Sequence, residues 1–130
     1  MMKELKLQKI WLLIGLCYIV AIFYLCLRKT APSIPVIPHL DKVLHFSAYY
    51  CLMSYFSLLL KASSYKKIFV LFVFMGILIE LLQLMTGYRS FELLDILANT
   101  AGLVAGLFTF GRYLPNTLNW VEEILNFKNS

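Results

Sequence analysis

The chain has 130 residues, of which 61% are hydrophobic and only 15% charged, with a net charge of +5. Soluble domains run nearer ~45–50% apolar and ~25% charged, and a core this small cannot hide so much apolar surface from water; the composition excludes an ordinary soluble fold and points to one membrane domain over residues 1–130. The basic residues flank apolar runs instead of forming a stripe, which fits anionic headgroups and speaks against nucleic acid as a partner.

Residues 10–27, IWLLIGLCYIVAIFYLCL, carry no charge. At ~1.5 Å per residue the run reaches about 27 Å, enough to cross a hydrocarbon core. It is longer than the ~7–15 residues of a signal-peptide core, and the RKTAPSIP that follows lacks a small-x-small cleavage pattern, so an uncleaved anchor is expected. Neither Cys17 nor Cys26 follows a small residue, as a lipoprotein site requires. Cys17, Cys26 and Cys51 all fall within apolar runs without CxxC spacing and read as small hydrophobes.

Residues 31–38, APSIPVIP, hold three prolines and are expected to run extended along the membrane surface. A second span follows over 43–60, a third over 68–85 and a fourth over 93–110. The KASSYKK link at 61–67 is short, which predicts an antiparallel hairpin of spans two and three. The TGYRSFE link at 86–92 is equally short, and Gly87 is placed to end a helix. In the tail, Leu118, Val121, Ile124 and Leu125 share one helical face, with Glu122, Glu123 and Asn126 elsewhere. This predicts a short interfacial helix with Trp120 near the headgroups. The fold class expected is all-α: a four-transmembrane-helix bundle with a short C-terminal interfacial helix.

Lys3, Lys6, Lys9, Lys61, Lys66, Lys67, Arg112 and Lys128 fall on one side of this arrangement, and Arg28, Lys29, Lys42 and Arg89 on the other. The positive-inside rule then places both termini in the cytoplasm of a multi-pass protein of the cell membrane.

The polar residues within the spans are not sprinkled evenly. Asp41 and Lys42 lie at the outer rim of span two, with His45 one turn deeper. Glu80 lies about 9 Å below the outer end of span three, by the ~1.5 Å rise of a helix, and Gln83 one turn above it. Asp95 lies just inside span four, and Asn99 one turn below. Asp41–His45 and Asp95–Asn99 are i, i+4 pairs, and Lys42–His45 and Glu80–Gln83 are i, i+3 pairs, so each pair shares a face. An ionisable residue at a helix centre costs roughly 2.5–3.5 kcal/mol on insertion scales. The cost falls when such groups meet partners or water, which predicts one polar pocket in the outer half of the bilayer. Ala98, Gly102 and Gly106 follow a small-xxx-small pattern that lets backbones approach. The same polar groups would also serve as interhelical glue fixing register, so a purely structural role stays open.

DKVLHF at 41–46, ELLQ at 80–83 and RSFELLDILANTAG at 89–102 resemble the motifs of the VanZ-like family of bacterial membrane proteins. That family shows Asp-Lys-x-x-His-Phe, then Glu-x-x-Gln, then Arg-x5-Asp-x3-Asn-x2-Gly. The matching positions are Asp41, Lys42, His45 and Phe46; Glu80 and Gln83; and Arg89, Asp95, Asn99 and Gly102. The resemblance implies an association with resistance to the glycopeptide teicoplanin, without assigning a reaction.

Three functions are weighed, and the first is the leading expectation. The first is a binder of a lipid headgroup, a lipid-linked envelope precursor or a lipophilic glycopeptide, through Asp41, Lys42, His45, Glu80, Gln83, Arg89, Asp95 and Asn99. In it Lys42, Arg89 and Arg28 attract an anionic group. The second is an intramembrane enzyme acting on an envelope lipid, with His45 as general base and Glu80 or Asp95 as partner. A metal variant would use His45, Glu80 and Asp95 as ligands, but one histidine with two acids is a thin set, and no metal or cofactor is expected. The third is structural or assembly. The membrane lipids are the expected partners in all three.

Overall fold

A computed structural model describes residues 2–28, 40–87 and 91–128. The proline-bearing segment at 31–38, Lys29 and Arg89 lie outside the described residues. Helix α1 covers Gln8–Leu27 and α2 covers Leu40–Leu59. A 3-10 turn at Ala62–Ser64 leads into α3 over Tyr65–Met85. Helix α4, Leu93–Gly106, continues as a π-helical segment through Leu107–Tyr113, and α5 covers Thr117–Lys128. Among the described residues there is no β-strand; one antiparallel bridge joins Met2 to Leu60. The all-helical expectation holds.

Among the described residues, three helical stretches are long and apolar enough to cross a membrane: Gln8–Leu27, Ala62–Met85 and Leu93–Tyr113. They coincide with the first, third and fourth expected spans. Helix α2 is as long as α1, at 20 residues, but does not reach that apolarity. Asp41, Lys42, His45, three serines and three tyrosines dilute its hydrophobic residues. Its position explains the difference. Helix α1 turns Leu13, Val20 and Tyr24 outward, whereas α2 has Tyr49, Leu52, Met53 and Leu59 fully shielded. From Tyr49 onward α2 is largely walled in by its neighbours and meets little lipid, and in its exposed first half the polar groups find partners.

The closest packing of α2 is against α4, although the short 61–67 link makes α3 its neighbour in sequence. Glycine accounts for this choice. A Cβ on Gly106 would stand 2.6 Å from the Tyr50 carbonyl oxygen and 2.9 Å from the Ser54 nitrogen. Two backbones meet there without side chains between them, the geometry that small residues permit in membrane helices. The pairing is parallel: Lys42 meets Asp95, His45 meets Asn99, and Tyr50 meets Gly106.

Helix α1 packs antiparallel on the other flank. Gly15 lies against the rings of Tyr55 and Phe56, the Tyr55 hydroxyl donates to the Trp11 carbonyl at 2.6 Å, and the Tyr18 hydroxyl donates to the Ala48 carbonyl at 2.9 Å. Phe56 and Phe72 meet edge to face, with centroids 5.2 Å apart, joining α2 to α3. Helix α3 ends as expected: Gly87 takes φ of 78°, a left-handed conformation that glycine adopts without strain.

The tail departs from its expected pattern at Glu122. Leu118 and Glu122 form the buried face of α5, while Trp120, Ile124 and Leu125 are exposed. Glu122 turns inward because it finds donors there. It accepts hydrogen bonds from the Lys6 and Leu7 backbone N–H groups, both at 2.9 Å, and from the Trp11 indole at 2.8 Å. These groups surround the start of α1, whose first N–H groups have no helical partners. A carboxylate from a distant helix thus does the work of an N-cap. Burial alone would raise the Glu122 pKa, but these donors and the Lys6 charge hold it below the usual carboxylate value of 4.5.

Candidate functional site

Three helices bring polar groups to one end of the bundle, the end where α2 and α4 begin. Asp41 is in the first turn of α2 and Asp95 in the first turn of α4. Acids are favoured there because unpartnered N–H groups and the helix dipole make the N-terminus positive. Lys42 lies between them. Its ammonium donates to Asp41 Oδ2 at 3.0 Å, to Asp95 Oδ1 at 2.9 Å and to the Glu92 carboxylate.

One turn deeper, His45 Nδ1 lies 3.0 Å from Asn99 Oδ1, and Nε2 lies 3.7 Å from Asp95 Oδ2. Glu80 enters from α3 at the same level. Its Oε2 accepts the backbone N–H of Glu92 at 3.2 Å. Glu92 is the N-cap residue of α4, so the Glu80 carboxylate sits at that helix's N-terminus. The other oxygen, Oε1, is buried and accepts no hydrogen bond from any described residue. The side chains are graded in depth. Exposure falls from 52% at Asp41 to 20% at Lys42, 10% at His45 and 8% at Asp95, and Glu80 is fully enclosed.

Asp41, Lys42, His45, Glu80, Asp95 and Asn99 therefore form one contiguous group. Gln83 is buried, but its amide donates to the Cys26 carbonyl at 2.8 Å and ties α3 to the end of α1. Arg89 is outside the described residues, and Arg28 is exposed at the end of α1. Lys42, expected to attract an anion, is already held by three carboxylates.

Sequence reasoning missed Glu92. It sits three residues before Asp95, at the N-cap of the fourth span, and that spacing was the available signal: N-cap and third helical position face the same neighbour. The Tyr49 hydroxyl, also on α2, is buried and finds no described partner. Gly76 makes room beside it: a Cβ there would stand 3.4 Å from the Tyr49 hydroxyl and 3.0 Å from Asn99 Nδ2, itself buried without a described partner.

Chemically, the group offers an imidazole next to two carboxylates, an ammonium held at its rim, and unsatisfied donors and acceptors below. Buried polar atoms without partners cost about 1–3 kcal/mol each, so in a native protein each calls for an explanation, whether strain, a catalytic role, or a water or ion. Two shallow concavities lie among residues 4–10, at the opposite end of the bundle; the polar group is closed at its mouth by the Lys42 ion pairs.

The family model described as VanZ/LLP1 matches residues 4–114, a stretch that contains every residue of the polar group. No curated protein and no solved structure matches the chain.

Proposed function

Because the chain belongs to the VanZ/LLP1 family, we propose that it is a multi-pass protein of the bacterial cell membrane that binds the polar part of a lipid or lipid-linked envelope precursor between α2, α3 and α4. A lipophilic glycopeptide such as teicoplanin fits the same class of ligand. The observation that carries this reading is the convergence of Lys42, His45, Glu80, Asp95 and Asn99 from three helices. Intramembrane ionisable residues gathered in this way default to a functional role.

In this reading α2 is a fourth crossing. It runs parallel to α4 with its first turn beside the first turn of α4, so the two traverse the same slab in the same sense. The basic residues then put the termini in the cytoplasm and the polar group in the outer half. Helix α5 lies at the inner interface, with Trp120 toward the headgroups. The mouth opens when the Lys42 ion pairs exchange for contacts with the ligand. A headgroup with both anionic and cationic parts suits this exchange, since it can address Lys42 and the acids together.

Mass spectrometry of lipids co-purified with the native protein and with Glu80→Gln tests the reading. A lipid or precursor retained by the native protein and lost from a folded Glu80→Gln variant is the expected result. Identical lipid spectra would overturn it. A catalytic reading is favoured by one feature, the His45 imidazole set beside the Glu80 and Asp95 carboxylates, a group able to accept a proton; an enzyme would keep its ligand and lose turnover in His45→Ala.

A further inference from the structure

His45, Glu80 and Asp95 share a pattern that headgroup binding does not require. Each commits one polar atom to a neighbour and leaves the other toward the shared centre. His45 Nδ1 is engaged by Asn99 Oδ1 at 3.0 Å. An amide oxygen only accepts, so Nδ1 carries a proton and, in the neutral ring, Nε2 keeps its lone pair. Asp95 gives Oδ1 to Lys42 at 2.9 Å and leaves Oδ2 facing His45 Nε2 at 3.7 Å. Glu80 gives Oε2 to the Glu92 N–H at 3.2 Å and leaves Oε1 enclosed without a partner among the described residues. One ligand atom from each of the three lies within 4.8 Å of the other two.

We propose that His45, Glu80 and Asp95 bind a divalent first-row metal ion of the Zn2+ or Mn2+ type. Imidazole nitrogen with carboxylate oxygens is a donor set these ions accept. Bonds of about 2.1 Å place tetrahedral ligands about 3.4 Å apart. The trio therefore closes on an ion by small side-chain rotations, without moving helices. Charge points the same way. Two carboxylates and a neutral imidazole match a dication, whereas Glu80 faces no ammonium or guanidinium among the described residues. A buried carboxylate needs such compensation.

The neighbours have the arrangement of an outer shell. Asn99 fixes the histidine tautomer, Lys42 orients Asp95, and the α4 N-terminus orients Glu80. Three protein ligands would leave at least one coordination position for a further ligand such as water. The ion requires no lipid, so its binding and that of a headgroup are separable.

The test uses the full chain in detergent without added lipid, with Cys17, Cys26 and Cys51 changed to alanine so that thiols do not contribute. After treatment with a chelator, the protein is mixed with ZnCl2 or MnCl2 and desalted. Bound metal is measured by elemental mass spectrometry and thermal unfolding is followed in parallel. The expected result is about one ion per chain and a raised melting temperature with at least one of the two ions. Glu80→Gln and His45→Gln should lose the bound metal, and Asn99→Ala should weaken it about 10–100-fold. If a variant does not fold, the stoichiometry and melting shift of the parent decide. Folded parent that retains neither ion and shows no shift with either overturns the proposal. Metal retained equally by folded Glu80→Gln and His45→Gln does so too.

Discussion

Gly102 lies so close to Phe46 that a Cβ on the glycine would stand 2.3 Å from the Phe46 carbonyl oxygen. The obstacle is backbone, which cannot rotate away. Gly102→Ala must therefore push α4 off α2 at the level just below His45 and Asn99. Overpacking of a tight contact costs about 1–3 kcal/mol, and the separation should also lengthen the His45–Asn99 hydrogen bond. Gly15→Ala is the contrast: its Cβ would meet ring atoms of Phe56 and Tyr55 at 3.0 Å, and rings can shift. Thermal unfolding in detergent should show a clear loss for Gly102→Ala and a smaller one for Gly15→Ala; equal losses would mean that the α2–α4 approach is looser than described.

Lys42 holds Asp41, Glu92 and Asp95 at once. Replacing it with methionine keeps the stem and removes the ammonium that pairs with Asp95, whose side chain is 8% exposed. Breaking a buried pair from one side costs several kcal/mol, about 3–5 when fully enclosed; with Lys42 itself 20% exposed, a loss of about 1–3 kcal/mol is expected. Adding Asp95→Asn to Lys42→Met should recover part of it. A double-mutant cycle on unfolding measures the coupling, and simple additivity of the two losses would show that the pair is not an energetic unit.

The helices were legible because each is a long apolar run; expected spans at 10–27, 68–85 and 93–110 lie within α1, α3 and the α4–π segment. What the apolar pattern could not give was neighbourhood. Nothing in a hydropathy profile says that α2 prefers α4 to α3; the glycines at 102 and 106 hinted at a close approach without naming the partner. The site was legible where two residues repeat at helical spacing, as with Asp41–His45 and Asp95–Asn99. It was illegible where a single residue acts through its backbone, as Glu92 does toward Glu80, or where identical chemistry takes different partners, as Gln83 does in reaching Cys26. Glu122 shows the limit most plainly. By periodicity it belongs on the wet face of α5, and the unpartnered N–H groups at the start of α1, over a hundred residues away, draw it inward.

The orientation can be read with an impermeant thiol reagent on intact cells in a background lacking the native cysteines. Phe91 and Ser63 are both exposed, Phe91 just before α4 and Ser63 just before α3. Phe91→Cys should label from outside and Ser63→Cys only after the membrane is opened, because basic residues accumulate on the cytoplasmic side. The reverse pattern would put the Lys42–His45–Glu80 group on the cytoplasmic face and remove extracellular ligands from consideration.

Glu122 makes stability depend on acid in a way that isolates the clasp between α5 and α1. Its carboxylate accepts two backbone N–H groups and the Trp11 indole, and its pKa is lowered from 4.5 in the folded protein. Only the ionised form accepts all three bonds. A group with a depressed folded pKa contributes stability that is fully present above its unfolded pKa and is lost as pH falls through the folded one. The contribution should thus be constant at neutral pH and decline below about 4.5. Glu122→Gln retains one acceptor oxygen and forfeits the charge; by analogy with lost N-caps it should cost about 0.5–2 kcal/mol at pH 7. Melting temperatures of the two proteins should converge as the pH is lowered from 6 toward 3, and fluorescence of Trp11 should report the loosened clasp in the variant at every pH. A constant difference between the two proteins across that range would mean that the charge of Glu122 contributes nothing, and that shape alone seats α5 on the N-terminus.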